Sequence, residues 1–174
     1  EESPGIMVHT LEELFRKIVA NSEDREYNVR LWYLEIYNEN LRDLLTLNNN
    51  EESIDLREDP VKGTTLNGIN EMNVKSCSEI MYQLRKGNKM RTTESTNANE
   101  TSSRSHAILQ VIVEHKEKNS GTDAEIKVGK LSLIDLAGSE RASATLNRGI
   151  RLIEGANINR SLLTLGNCIN ALSE

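Results

Sequence analysis

Residues 97–106 read Asn97-Ala98-Asn99-Glu100-Thr101-Ser102-Ser103-Arg104-Ser105-His106, and residues 135–140 read Asp135-Leu136-Ala137-Gly138-Ser139-Glu140. The second run follows the apolar stretch Lys130-Leu131-Ser132-Leu133-Ile134. This predicts that Asp135 ends a buried strand and that Gly138 lies in the turn beyond it. A carboxylate at a strand end, followed by a glycine whose N–H can approach a phosphate, is how a nucleotide site holds Mg²⁺ and senses a terminal phosphate. The first run brings adjacent hydroxyls and an arginine within reach of the same metal and phosphate. DxxG alone recurs by chance in unrelated chains; NxxSSRSH paired with DLAGSE is far more specific.

The two runs resemble the switch segments of the kinesin motor domain, and the likeness continues outward from them. Trp32-Tyr33-Leu34-Glu35-Ile36-Tyr37-Asn38-Glu39, then Leu41-Arg42-Asp43-Leu44-Leu45, is similar to the kinesin strand that runs into a short helix. Glu154-Gly155-Ala156-Asn157-Ile158-Asn159-Arg160-Ser161-Leu162-Leu163, then Leu165-Gly166-Asn167, is similar to the start of its long relay helix. Arg57-Glu58-Asp59 with Lys62-Gly63, and Arg148-Gly149-Ile150-Arg151, are most similar to the kinesin-eight class. The resemblance covers essentially the whole chain. It implies a kinesin-type ATPase with ATP and Mg²⁺ as its cofactors and the microtubule as its partner. Ser103 would ligate Mg²⁺ directly and Asp135 would hold it through water. Asn99 and Ser102 would contact phosphate oxygens or the attacking water, and the Gly138 N–H would report the γ-phosphate. The family likeness also implies a cytoplasmic, cytoskeletal location on microtubules, the spindle included, and a homodimer made through segments outside this chain. Plus-end-directed movement with control of microtubule length is implied by the kinesin-eight likeness.

The phosphate cradle GxxxxGK[ST], which supplies backbone N–H groups and a lysine to the β/γ-phosphates, does not occur in these 174 residues. Gly63 and Gly68 have the glycine spacing but are followed by Ile69 and Asn70. In the family the cradle precedes a segment similar to Pro4-Gly5-Ile6 and Thr10-Leu11-Glu12-Glu13-Leu14-Phe15, so it is expected upstream of Glu1. The chain is likewise expected to end within the relay helix, before the last helices and the neck. The expectation is therefore a partial motor domain, inert in catalysis by itself and carrying an unpaired sheet edge.

Composition sets outer bounds. A chain of 174 residues is expected to form one domain, burying roughly 70% of its unfolded surface. Apolar runs fall short of a membrane span, and no signal peptide opens the chain. Cys77 and Cys168 lack metal-type spacing and are expected as buried free thiols. The three histidines, at 9, 106 and 115, make no zinc pattern. A net charge of −6 argues against general nucleic-acid binding. Residues 141–160 depart from it, with Arg141, Arg148, Arg151 and Arg160 against Glu154 alone, a net +3. These four arginines are the candidate microtubule contacts.

The order of elements predicts an α/β fold: a three-layer kinesin-type nucleotide-binding core with a mixed central sheet. Thr10 and Glu13 form a capping-box pattern before the periodic Leu11, Leu14, Phe15, Ile18 and Val19. Val29–Tyr37 reads as a central strand, and Ile54–Arg57 and the region of Leu66 as short strands. Ser76 and Glu79 make a second capping box, with Gly87 as a helix end. His106–His115 and Glu125–Asp135 are expected as an antiparallel hairpin. The last helix places Ile158, Leu162, Leu165, Ile169 and Leu172 on one stripe expected to pack on the sheet.

Arg104 and Glu140 are the candidate catalytic pair. In the family the corresponding residues form a salt bridge that closes the two switches around the attacking water. Such a bridge adds little net stability, yet losing one partner costs roughly 3–5 kcal/mol, which suits a latch. A surface pair, by contrast, is worth roughly 0–1 kcal/mol. Two other classes compete. A non-catalytic microtubule-binding product of a split or degenerate motor gene would lack an upstream cradle. A GTPase-like switch should carry NKxD, but Asn88-Lys89-Met90-Arg91 lacks the acid.

Overall fold

The computed structural model of the protein describes residues 5–46, 54–60, 63–93, 104–119, 125–139 and 150–173. The elements in chain order are α1 (Ile6–Ala20), β1 (Arg25–Tyr37), β2 (Asn40–Asp43), β3 (Asp55–Asp59), β4 (Gly63–Asn67), β5 (Met72–Asn73), α2 (Cys77–Thr93), β6 (His106–Glu117), β7 (Lys127–Asp135) and α3 (Ile150–Ser173). The main sheet runs β2-β1-β6-β7, with β5 also paired to β1, while β3 and β4 form a separate hairpin. The α/β class agrees with the sequence reading. All five strand pairings among the described residues are antiparallel, where a mixed sheet was expected.

Strand β1 is central because its alternation serves two neighbours. Val29, Leu31 and Tyr33 point to one face and are buried against Leu109 and Val111 of β6 and against α1 and α2. From the helices, Leu11, Phe15, Ile80 and Leu84 close this core, the period-2 face of a strand meeting the period-3.6 stripe of a helix. On the other face, the sheet and the β3–β4 hairpin enclose a groove of about 910 Å³ lined by Trp32, Leu34, Ile108 and Leu66 among others. None of the described residues of the two motifs lines it. Among the described residues, no helix is long and apolar enough to cross a membrane.

Several local expectations are corrected. Helix α1 starts a turn earlier than the Thr10–Glu13 box implies, with Gly5 as its N-cap. Thr10 Oγ1 instead donates to the Ile6 carbonyl at 2.7 Å, inside the helix, and Glu13 accepts from Arg16. Residues 41–45 do not enter a short helix. Asn38 (φ 49°) and Glu39 (φ 65°) make the positive-φ pair of a tight hairpin turn, and β2 returns antiparallel along β1. Asp43 then holds the following bend by accepting from the Leu45 N–H at 2.8 Å and from Thr46 Oγ1 at 2.7 Å. At α2 the expected N-terminus is found. Ser76 Oγ accepts from the Glu79 N–H at 3.3 Å, and the Glu79 carboxylate accepts from the N–H of Lys75 at 2.7 Å, one residue beyond the usual reciprocal bond.

Gly87 does not end α2, which continues to Thr93. It is glycine because the Tyr33 ring lies against it: an added Cβ would stand 2.6 Å from Tyr33 Cδ1 and 3.2 Å from Leu44 Cβ. Gly87→Ala is therefore expected to destabilise by about 1–3 kcal/mol, the usual cost of overpacking. Urea unfolding of the full-length protein checks this; an unchanged midpoint would show that Tyr33 moves aside freely.

Two burial expectations also change. Strand β7 is an edge strand over the described residues, and Val128 and Ile134 are exposed rather than buried. The stripe on α3 packs only at its start. Ile158 is buried, whereas Ile169 is 58% and Leu172 88% exposed. Cys77 is half-buried and Cys168 exposed, so neither is the fully buried thiol expected from its apolar neighbours.

Candidate functional site

The antiparallel register of β6 and β7 sets Ala107 opposite Asp135. Consequently the end of the first motif and the start of the second lie side by side. Asn99, Ser102, Ser103, Glu140, Arg141 and Arg148 lie outside the described residues, as does the side chain of Arg151. Arg160 is exposed on α3, and Arg104 is half-buried just before β6. Asp135 ends β7 and Gly138 stands half-buried three residues on.

Asp135 does not stand alone. Its Oδ2 accepts from Arg91 Nη1 at 3.0 Å. Arg91 comes from the last turn of α2, and its side chain is only 5% exposed against 58% for Asp135. Arg91 Nη2 also donates to the Ser105 carbonyl and to Ser105 Oγ, both at 3.3 Å. Behind it, Arg91 Nε stands 3.8 Å from Oε1 of Glu35, whose side chain is 3% exposed, and Arg42 Nη1 stands 3.8 Å from Glu35 Oε2. Charges of alternating sign thus run from the part-exposed Arg42 of β2 through the buried Glu35 and Arg91 to the exposed carboxylate of Asp135. A buried guanidinium flanked by two carboxylates keeps its charge compensated, which a lone buried ion cannot do.

A second path runs through His106. Its Nδ1 accepts from the Ala137 N–H at 3.1 Å, and its Nε2 lies 3.1 Å from Ser161 Oγ on α3. Ser161 Oγ donates to the Ile158 carbonyl at 2.9 Å. Close by, Asn157 Nδ2 donates to Asn38 Oδ1 at 2.6 Å, joining α3 to the β1–β2 turn. Arg104 lines the same small recess as His106, Asn38, Asn157 and Ser161. Burial pushes the His106 imidazole below its ordinary range, with Arg91 acting in the same direction and Glu39 and Asp135 opposing.

Reading by motif missed Arg91, Glu35 and Ser161. A signal existed for Glu35, an acid inside the central strand predicted over Val29–Tyr37, which must find a partner. Asn88 and Arg91, compared with a guanine-reading segment above, are engaged within the fold: Tyr33 Oη donates to Asn88 Oδ1 at 2.7 Å, and Arg91 holds Asp135.

Asp135 suits a hard cation held through water. It offers carboxylate oxygens at an exposed strand end, Oδ2 shared with Arg91, and the half-buried Gly138 follows three residues on. Mg²⁺ there would neutralise charge on a nucleotide's phosphates.

The model for the kinesin motor domain matches residues 1–174. The chain is 56% identical over 171 residues to the kinesin-like protein KIF19 of Xenopus laevis, covering 98% of this chain and 17% of that protein. It is 53% identical over 173 residues to the kinesin-like protein KIN-8A of Arabidopsis thaliana, covering 99% of this chain and 23% of that one. The chain thus spans about a fifth of the length of these curated relatives. Among solved structures it is similar to a KIF14 dimer with AMP-PNP in complex with a microtubule, with a TM-score of 0.85 and 37% identity, covering 99% of this chain and 50% of that one. A fast kinesin gives a TM-score of 0.84 at 37% identity, covering 98% of this chain and 47% of that one. The chain belongs to the kinesin motor-domain family, with its likeness to the kinesin-eight class.

Proposed function

We propose that this chain is part of a microtubule motor that hydrolyses ATP with Mg²⁺ and couples the nucleotide state to its hold on the filament. The carrying observation is the adjacency of Asp135, Gly138 and His106 at the meeting of β6 and β7, with α3 bonded to that same corner. In this reading Asp135 holds Mg²⁺ through water and Ser103 ligates it. Asn99 and Ser102 face the phosphates or the attacking water, and the Gly138 N–H senses the γ-phosphate. Arg104 and Glu140 close as a latch. Arg141, Arg148, Arg151 and Arg160 meet the acidic filament surface. One covalent stretch, 135–160, then carries both the sensor and the filament contact, which is what coupling between two sites requires. The GxxxxGK[ST] cradle belongs to a longer protein of which this is a partial motor domain, working as a homodimer on cytoplasmic and spindle microtubules and controlling their length at plus ends.

The filament contact is tested by reversing Arg141 and Arg151 to glutamate in the full-length protein. Co-sedimentation with microtubules should weaken and its salt dependence flatten, because fewer ion contacts remain to be screened. Unchanged binding across salt would remove these arginines from the interface.

A further inference from the structure

The ring of His106 has no freedom in its hydrogen bonding. The Ala137 N–H can only donate, so Nδ1 must present its lone pair, and the neutral imidazole carries its proton on Nε2. That proton points to Ser161 Oγ, whose own hydrogen is given to the Ile158 carbonyl. Ala137 lies between Asp135 and Gly138, and Ser161 lies on α3 three residues beyond the buried Ile158. Each end of the imidazole is therefore bound to a different moving part of the proposed mechanism, and both bonds are directional. His106 and Ala137 are buried, so water cannot replace the Ala137 bond without opening the corner, while Ser161 is half-buried at the edge of the recess.

We propose that His106 is a positioning residue for hydrolysis, a rigid tie that holds the Asp135–Gly138 loop in register with α3 through Ala137 on one side and Ser161 on the other. This rests on the motor reading given above. The tie differs from the neighbouring Asn157–Asn38 bond, which reaches α3 from the β1–β2 turn and touches neither motif. If the ring carries the coupling, loss of either of its partners should slow turnover without weakening nucleotide binding. Loss of the Asn157 bond should do neither.

The test uses the full-length protein with microtubules and ATP. Ser161→Ala removes one end of the tie, and His106→Asn keeps an acceptor for the Ala137 N–H while falling short of Ser161. Ser161→Thr keeps the hydroxyl and Asn157→Ala breaks only the other bond. Expected are a fall in kcat of about tenfold for Ser161→Ala at unchanged KM for ATP, within the size of single-residue effects on coupling, and no further fall in the double variant with His106→Asn. Ser161→Thr should restore kcat, and Asn157→Ala should retain it. Additive losses, a raised KM with unchanged kcat, or an equal loss in Asn157→Ala would overturn the tie. Should His106→Asn fail to fold, Ser161→Ala against Ser161→Thr decides alone. A wild-type protein without ATPase activity would overturn the motor reading and the tie with it, whereas an active wild type with additive variants would overturn the tie only.

Discussion

Arg91→Met is expected to remove about 3–5 kcal/mol of folding stability, the usual consequence of taking one partner from a buried ion pair. The substitution leaves Glu35 inside the sheet, its side chain 3% exposed and facing Arg42 at 3.8 Å. It also strips Ser105 of two bonds and Asp135 of its partner. The methylene stem is conserved, so the loss is electrostatic rather than a cavity. Adding Glu35→Met to Arg91→Met should recover much of the loss, because it removes the buried carboxylate left with the part-exposed Arg42 alone. Arg42 tolerates this, being exposed enough to reach solvent. Urea unfolding of the full-length protein reads both variants; a single variant as stable as wild type would show that water reaches Glu35.

Glu140→Ala is expected to abolish hydrolysis while leaving ATP binding intact. In the proposed reading Glu140 and Arg104 form a latch whose two halves work only together. In the proposed mechanism the pair would hold the attacking water's surroundings only while both charges meet; with one absent, the other would return to solvent and closure would gain nothing. Arg104 stands just before β6 and lines the recess it shares with His106 and Asn38, at the corner where the motifs meet. In the proposed motor, nucleotide affinity would depend on phosphate and Mg²⁺ contacts elsewhere, so only the chemical step should suffer. Wild-type turnover in this variant, with ATP bound normally, would take the latch out of the mechanism.

Much of the architecture was legible because it depends on local rules. The apolar run of Val29–Tyr37 announced a central strand, the polar loop between His106–His115 and Glu125–Asp135 announced a hairpin, and Ser76 with Glu79 marked the start of α2. The misreadings share a cause: a tertiary neighbour overrode a local signal. Gly87 resembles a helix stop until the Tyr33 ring is seen against it. Thr10 resembles a cap until its hydroxyl is found bonded to Ile6. The apolar stripe of α3 has the period of a packed helix but meets the body only near Ile158. For the proposed site, the motifs pointed to Asp135, Gly138 and Arg104, which the fold places near the meeting of β6 and β7. The buried Arg91 and the Ser161 hydroxyl were invisible because their importance comes from residues 44 and 55 positions away in sequence.

The most direct test of the account is the microtubule-stimulated ATPase rate of the full-length protein beside its Asp135→Asn variant. The substitution keeps the shape of the side chain and an oxygen for Arg91 to donate to, but removes the negative charge that would hold Mg²⁺ through water. Turnover in the wild type, lost in Asp135→Asn while the protein remains folded and microtubule-bound, is the predicted result. Equal turnover in both proteins would contradict the assignment of this strand end as the nucleotide-sensing site.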